Sequence, residues 1–188
     1  MEAFLVSLTS IAIAEIGDRT QLLALVLAAR YRKPWPIVAG VVCATLANHA
    51  AAGWIGSLVG RQLRPALLDA VVGVSMIGMA LWTLKPDRLD EQANKTTNAG
   101  AFVATLVAFF LAEIGDKTQI ATMALAAAYP NLLAVIAGTS CGMLVANVPV
   151  IFLGNAFAHR LPLKAIHYAA SALFALLGVV FIVRAVRT

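Results

Sequence analysis

The sequence predicts an all-α integral membrane fold in which six transmembrane helices form two inverted three-helix repeats. Three observations carry that prediction. Of 188 residues, 61% are apolar and only 12% are charged, against roughly 25% charged in a soluble domain; mean hydropathy is +0.88. Apolar runs of about 18 residues or more recur along the chain, each long enough to cross hydrocarbon. The octapeptide A-E-I-G-D-R-T-Q at Ala14 to Gln21 returns as A-E-I-G-D-K-T-Q at Ala112 to Gln119, 98 residues on. Such a composition excludes a water-soluble globule, and it excludes disordered or collagen-like chains, which are polar or Gly-periodic.

The first apolar run covers about 3–29. It opens on Met-Glu-Ala-Phe with no basic leader and is interrupted by Glu15 and Asp18, so it reads as a retained span and not as a cleaved signal peptide. Arg30-Tyr31-Arg32-Lys33-Pro34 closes it, and runs at about 35–60 and 66–84 follow, separated by a connector from Arg61 to Pro65. The stretch K-P-D-R-L-D-E-Q-A-N-K-T-T-N-A-G, Lys85 to Gly100, is the one long polar linker. Beyond it come runs at about 101–128, 131–158 and 165–184, joined by Tyr129-Pro130-Asn131 and by His159 to Lys164. The organisation is one membrane domain: a first repeat at 1–84, a cytoplasmic linker at 85–100 and a second repeat at 101–188.

The same offset aligns Tyr31 with Tyr129, Gly40 with Gly138, Cys43 with Cys141 and Gly56 with Gly154. A constant register over this length indicates an internal duplication. Each half has an odd number of spans, so the second must enter the membrane from the opposite side, an architecture common among secondary transporters. Arg30, Arg32, Lys33, Lys85, Arg88, Lys95, Arg160 and Lys164 then fall on one side, and Arg61, Arg64, Arg184 and Arg187 on the other. Eight bases against four place the linker in the cytoplasm and both termini outside. The net charge of +5 is read as this bias and not as a nucleic-acid surface.

The first segment, about 27 residues, spans roughly 40 Å as a helix at 1.5 Å per residue. Glu15 to Thr20 therefore sit at its middle, as Glu113 to Thr118 do in the fourth. A charge at that depth costs at least ~2.5–3.5 kcal/mol and usually marks an ion pathway. Helical spacing lets Arg19 meet Glu15 and Lys117 meet Glu113, four residues apart. Asp18 and Asp116 then lack an obvious local partner, and four acids against two bases leave −2 in low dielectric. One divalent cation would cancel it. Glu15 and Asp18 lie three apart and can face one centre, with Glu113 and Asp116 repeating the arrangement; these four are the expected metal ligands, with Arg19 and Lys117 balancing charge. Thr20 points away from that face in an unbroken helix. Gly17 and Gly115 are the expected helix breaks, exposing carbonyls as further ligands. With the amides of Gln21 and Gln119, and with Thr20 and Thr118 along a metal or proton pathway, the shell is all oxygen and suits Ca2+, Mn2+ or Mg2+.

Secondary candidates lie in the second and fifth segments. His49 could carry protons or give nitrogen to Mn2+, or could bond to a neighbouring helix. Asn48 lies beside it, and Asn147 reads as the counterpart of Asn48 with a one-residue slip. Cys43 and Cys141 match neither a disulfide framework nor a zinc spacing and read as small packing residues. His159 and His167 fall near a segment boundary.

A doubled E-x-G-D-[KR]-[ST] signature on the first and fourth of six membrane segments closely resembles the small Ca2+/Mn2+:H+ antiporters of the Gdt-type family. The motif falls on Glu15, Gly17, Asp18, Arg19 and Thr20 and on Glu113, Gly115, Asp116, Lys117 and Thr118. The resemblance implies cation/proton exchange, with Mn2+ efflux typical of bacterial members and Ca2+ or Mn2+ transport typical of eukaryotic ones. Eukaryotic relatives carry extra N-terminal sequence, so the expected home is a bacterial plasma membrane.

The expected function is thus a secondary transporter, not an enzyme, that exports Mn2+ or Ca2+ from the cytoplasm in exchange for protons. The metal is cargo and no cofactor is implied; the partners are the cation, protons and the bilayer, with homo-oligomerisation open. An acidic ring would equally serve a passive cation channel. Asp18 and Asp116, each after a Gly, would also serve an intramembrane aspartyl hydrolase, although that chemistry has no use for the extra glutamates and bases.

Overall fold

The computed structural model describes residues 1–84, 100–153 and 163–187; the linker expected at 85–100 lies outside the described residues except for Gly100, as do His159, Arg160 and Gly154. Among the described residues there are eight helices and no strand: α1 (Glu2–Glu15), α2 (Arg19–Tyr31), α3 (Pro34–Gln62), α4 (Pro65–Thr83), α5 (Ala101–Glu113), α6 (Lys117–Ala128), α7 (Leu132–Leu153) and α8 (Leu163–Arg187). Prolines at the first positions of α3 and α4 start those helices where a backbone N–H would have no partner anyway. α2 ends on Arg32 in the left-handed conformation (φ 51°), whose N–H returns to Ala28 O.

Four helices, α3, α4, α7 and α8, are long and apolar enough to cross a membrane. The first and fourth apolar runs are each divided, into α1 and α2 and into α5 and α6. At 1.5 Å per residue no piece of 14 residues or fewer reaches ~30 Å across hydrocarbon.

Polarity is distributed opposite to that of a soluble protein. Leu5, Trp54, Val74, Leu81, Leu111, Leu133 and Leu176 lie on the outside, while Glu15, Asp18, Glu113, Asp116, Lys117 and Asn147 are buried. Water would penalise that outer surface and hydrocarbon does not. The chain is a multi-pass membrane protein.

Close helix crossings come in reciprocal pairs. A Cβ placed on Gly40 of α3 would lie 2.8 Å from Thr105 Cβ and 2.9 Å from Phe102 O in α5. One placed on Gly138 of α7 would lie 2.9 Å from Ser7 Cβ and 2.5 Å from Phe4 O in α1. Shifting every number by 98 turns one contact into the other. The same holds between α4 and α8: Gly73 and Gly178 approach backbone to backbone, and Ser171 Oγ donates to Ala80 O at 2.8 Å. These contacts climb along α4 as they descend along α8, so the two helices run antiparallel. Asp69 and Arg184, 3.5 Å apart, join the start of one to the end of the other.

Candidate metal centre

Each divided run is cut at its motif. α1 ends at Glu15, Ile16 is extended, Gly17 takes φ 84°, and Asp18 caps α2. α5 ends at Glu113, Ile114 is extended, Gly115 takes φ 73°, and Asp116 caps α6. That left-handed region costs an L-residue about 1–2 kcal/mol and costs glycine nothing, so the chain breaks where the glycines stand. Asp18 N donates to Glu15 O and Asp116 N to Glu113 O, both at 3.1 Å.

The two breaks lie against each other. Arg19 Nη2 of the first half is 2.9 Å from Asp116 Oδ1 of the second, and Lys117 Nζ of the second bonds to Asp18 Oδ1 of the first. The expected pairing of each base with the glutamate four residues before it is corrected here. It needs one continuous helix, and the break intervenes. The aspartates, expected to lack a local partner, are the acids that hold the bases.

Carboxylate oxygens of Glu15, Asp18 and Asp116 all lie within 4.8 Å of one another, and the three residues are buried. Thr20 Oγ1 donates to Glu15 Oε2 at 2.6 Å, so the expectation that Thr20 points away is corrected: it holds for an unbroken helix, and the helix is broken between the two residues. Asn147 Nδ2 reaches the same oxygen at 3.4 Å, and Thr118 Oγ1 lies 3.4 Å from Asp116 Oδ2. Glu15 Oε1 has no hydrogen-bond partner among the described residues. Three hard oxygen donors from both halves can surround one cation.

Glu113, the fourth expected ligand, stands outside this trio. Its Oε1 accepts from Thr45 Oγ1 at 2.9 Å, and Asn48 Nδ2 donates to Phe110 O, three residues before it on α5, at 3.1 Å. Thr45 was not among the expected site residues; a threonine in an apolar helix carries no sequence signal until its partner is known. Asn147 thus reaches the Glu15 carboxylate and Asn48 the backbone of α5, across the one-residue slip.

Gln21 and Gln119 do another job from the one expected. Gln21 Oε1 accepts from Gly17 N at 2.9 Å while its Nε2 donates to Ala146 O at 2.9 Å, and Gln119 Oε1 accepts from Gly115 N at 2.8 Å. Each amide oxygen is spent on an N–H freed by the break, which hydrocarbon could not satisfy. His49 Nδ1 lies 3.5 Å from Ser140 Oγ of α7. Cys43 and Cys141 are free thiols.

The sequence profile described as "Divalent cation/proton antiporter GDT1" matches residues 3–91 and 101–188. A protein of Vibrio cholerae serotype O1 named "Putative manganese exporter" is 51% identical over 179 residues, 95% of this chain and 89% of the relative. A GDT1-like protein of Synechocystis is 29% identical over 199 residues, 96% of each chain. GDT1-like protein 3 of Oryza sativa subsp. indica is 24% identical over 200 residues, 92% of this chain and 71% of the relative. No solved structure matches.

Proposed function

Because the chain belongs to the GDT1 family, and is with it a divalent cation transporter, we propose that it exports Mn2+, with Ca2+ as the second candidate cargo, from a bacterial cytoplasm in exchange for protons. The observation that carries this reading is the convergence of Glu15, Asp18 and Asp116 within 4.8 Å, drawn from both halves. The Vibrio cholerae relative's name supports manganese, and all-oxygen donors accept it readily.

Charge explains why exchange follows from such a pocket. Glu15, Asp18, Glu113 and Asp116 against Arg19 and Lys117 leave −2, with all four carboxylates buried. Moving that charge through hydrocarbon is prohibitive, whereas one divalent ion or two protons bring it to zero. Only the loaded forms turn over, so metal moving one way obliges protons to move the other. An inward proton gradient then drives metal out of the cytoplasm.

We read the architecture as six crossings in two inverted repeats, at 1–84 and 101–188. The reciprocal glycine contacts and the antiparallel run of α4 against α8 support it. The linker is cytoplasmic and both termini are outside in this reading, on the charge bias of the connectors.

The test uses proteoliposomes carrying an internal pH dye and an internal Mn2+ dye. Imposed Mn2+ entry is expected to alkalinise the lumen, and a pH gradient to drive Mn2+ uphill. Mn2+ entry with no pH change would leave a channel. Asp18→Asn is expected to abolish both signals and to fail to relieve Mn2+ sensitivity of a deletion strain.

A further inference from the structure

Resting on the exchange reading above, we propose that Arg19 and Lys117 mark the two entrances of the transport path: each entrance closes when the α4 and α8 pair packs over the helix that its base begins, and here the Lys117 entrance is shut and the Arg19 entrance open. The two bases occupy equivalent motif positions and make equivalent bonds. Their surroundings differ: the Lys117 side chain is 1% exposed and that of Arg19 is 29% exposed. A guanidinium at this depth tolerates exposure to water and not to lipid tails. The Arg19 side is therefore the wet one.

Helix packing departs from the repeat in the same sense. α4 lies along α6 and α8 lies against α1. Exchange of the halves would put α8 on α2 and α4 on α5, and neither pair is among the substantial contacts of the described residues. Leu68, Val71, Val72 and Ser75 of α4 face Met123 and Ala124 of α6 across a cavity of about 180 Å³. On the other side, the counterparts of those α6 residues, Leu25 and Val26 of α2, line a wider recess of about 410 Å³ against Ile151 and Phe152 of α7. Among the described residues, the α4 and α8 pair thus lies along the helix that Lys117 begins and not along the helix that Arg19 begins. Exchanging the halves generates the second state, with α8 seated on α2, Arg19 enclosed and Lys117 wet. Entrances and packing change together because each base is the first residue of the helix being covered.

Two cysteine pairs test this in the full chain, reconstituted, with Cys43 and Cys141 replaced by alanine. Val72→Cys with Ala124→Cys reports the packing seen here; Val26→Cys with Ala170→Cys is its counterpart after exchange. With a short reducible thiol-bridging reagent, either bridge is expected to abolish Mn2+ flux, and reduction to restore it, which shows that both variants fold. Conditions that raise yield at one pair several-fold should lower it at the other. No bridge at 26/170 during active turnover, or full flux through either bridged form, would overturn the proposal. Lumenal pH recorded in the same vesicles separates the two readings: antagonistic bridging with flux but no proton movement supports the two entrances while removing proton exchange.

Discussion

Lys117, the first residue of α6, bonds through its ammonium to the carboxylate of Asp18, the cap of α2, with both side chains out of contact with solvent. Each half of the molecule thus supplies the counter-ion for the other. Neither half can hold its own motif in hydrocarbon, because a lone buried charge is far more costly than a bonded pair.

Removing one partner separates structural from transport roles. Asp18→Asn removes the carboxylate bonded to the Lys117 ammonium, and breaking a buried pair in this way costs about 3–5 kcal/mol. Thermal unfolding in detergent should show a marked loss. In Asp18→Asn with Lys117→Met the stranded charge is gone, so stability should largely return while transport stays absent. A double variant as unstable as the single one would contradict the pairing.

Gly115 is needed for backbone conformation and not for room. A Cβ on Gly115 meets nothing within 4 Å, yet its φ is 73°. Gly115→Ala should therefore cost about 1–2 kcal/mol from conformation alone, read as a lower unfolding midpoint together with reduced flux. Gly78→Ala is the control: it also meets nothing within 4 Å and lies inside α4, where alanine gains roughly 0.5–1 kcal/mol over glycine.

Glutamines that stitch the breaks give a different signature. Gln21→Leu leaves the Gly17 N–H without its 2.9 Å acceptor, and an unmade buried hydrogen bond costs about 1–3 kcal/mol. Because the amide is not placed as a ligand, the loss should appear in stability first. A large change in half-saturating Mn2+ with unchanged unfolding would instead make Gln21 a ligand.

The octapeptide disclosed the glycine breaks and the repeat of the motif, because these depend on local sequence and on a fixed offset. It could not disclose that Arg19 reaches Asp116 and not Glu15. That pairing exists only once two broken helices meet, and helical spacing argues for the wrong partner as long as the helix is taken as continuous. Thr45 was silent for the same reason: its hydroxyl matters through Glu113, 68 residues away. Gln21 was legible as important but not in role, since an amide next to carboxylates reads equally as a ligand and as a brace.

Thr20 supports Glu15 through a bond of 2.6 Å. If Glu15 binds the ion as proposed, loss of this partner should lower affinity ~10–100-fold, as is typical behind a metal ligand. Thr20→Val should raise half-saturating Mn2+ within that range, and Thr20→Ser, which keeps the hydroxyl, should restore it. Equal defects in both variants would assign Thr20 to packing.

The unequal places of the two glutamates make the last prediction specific to a side of the membrane. Glu15 joins the aspartates in the trio, whereas Glu113 is held apart by Thr45. If the second state is this one with halves exchanged, Glu113 joins the aspartates there and Glu15 withdraws to its own neighbours. Glu15→Gln should then weaken Mn2+ binding from the face open here by roughly tenfold or more, an effect of ~1.4 kcal/mol, and leave the opposite face nearly unchanged. Glu113→Gln should do the reverse. Half-saturating Mn2+ measured separately on right-side-out and inside-out vesicles reads both values, and matching defects on both faces for either variant would mean that all four acids bind the ion together throughout the cycle.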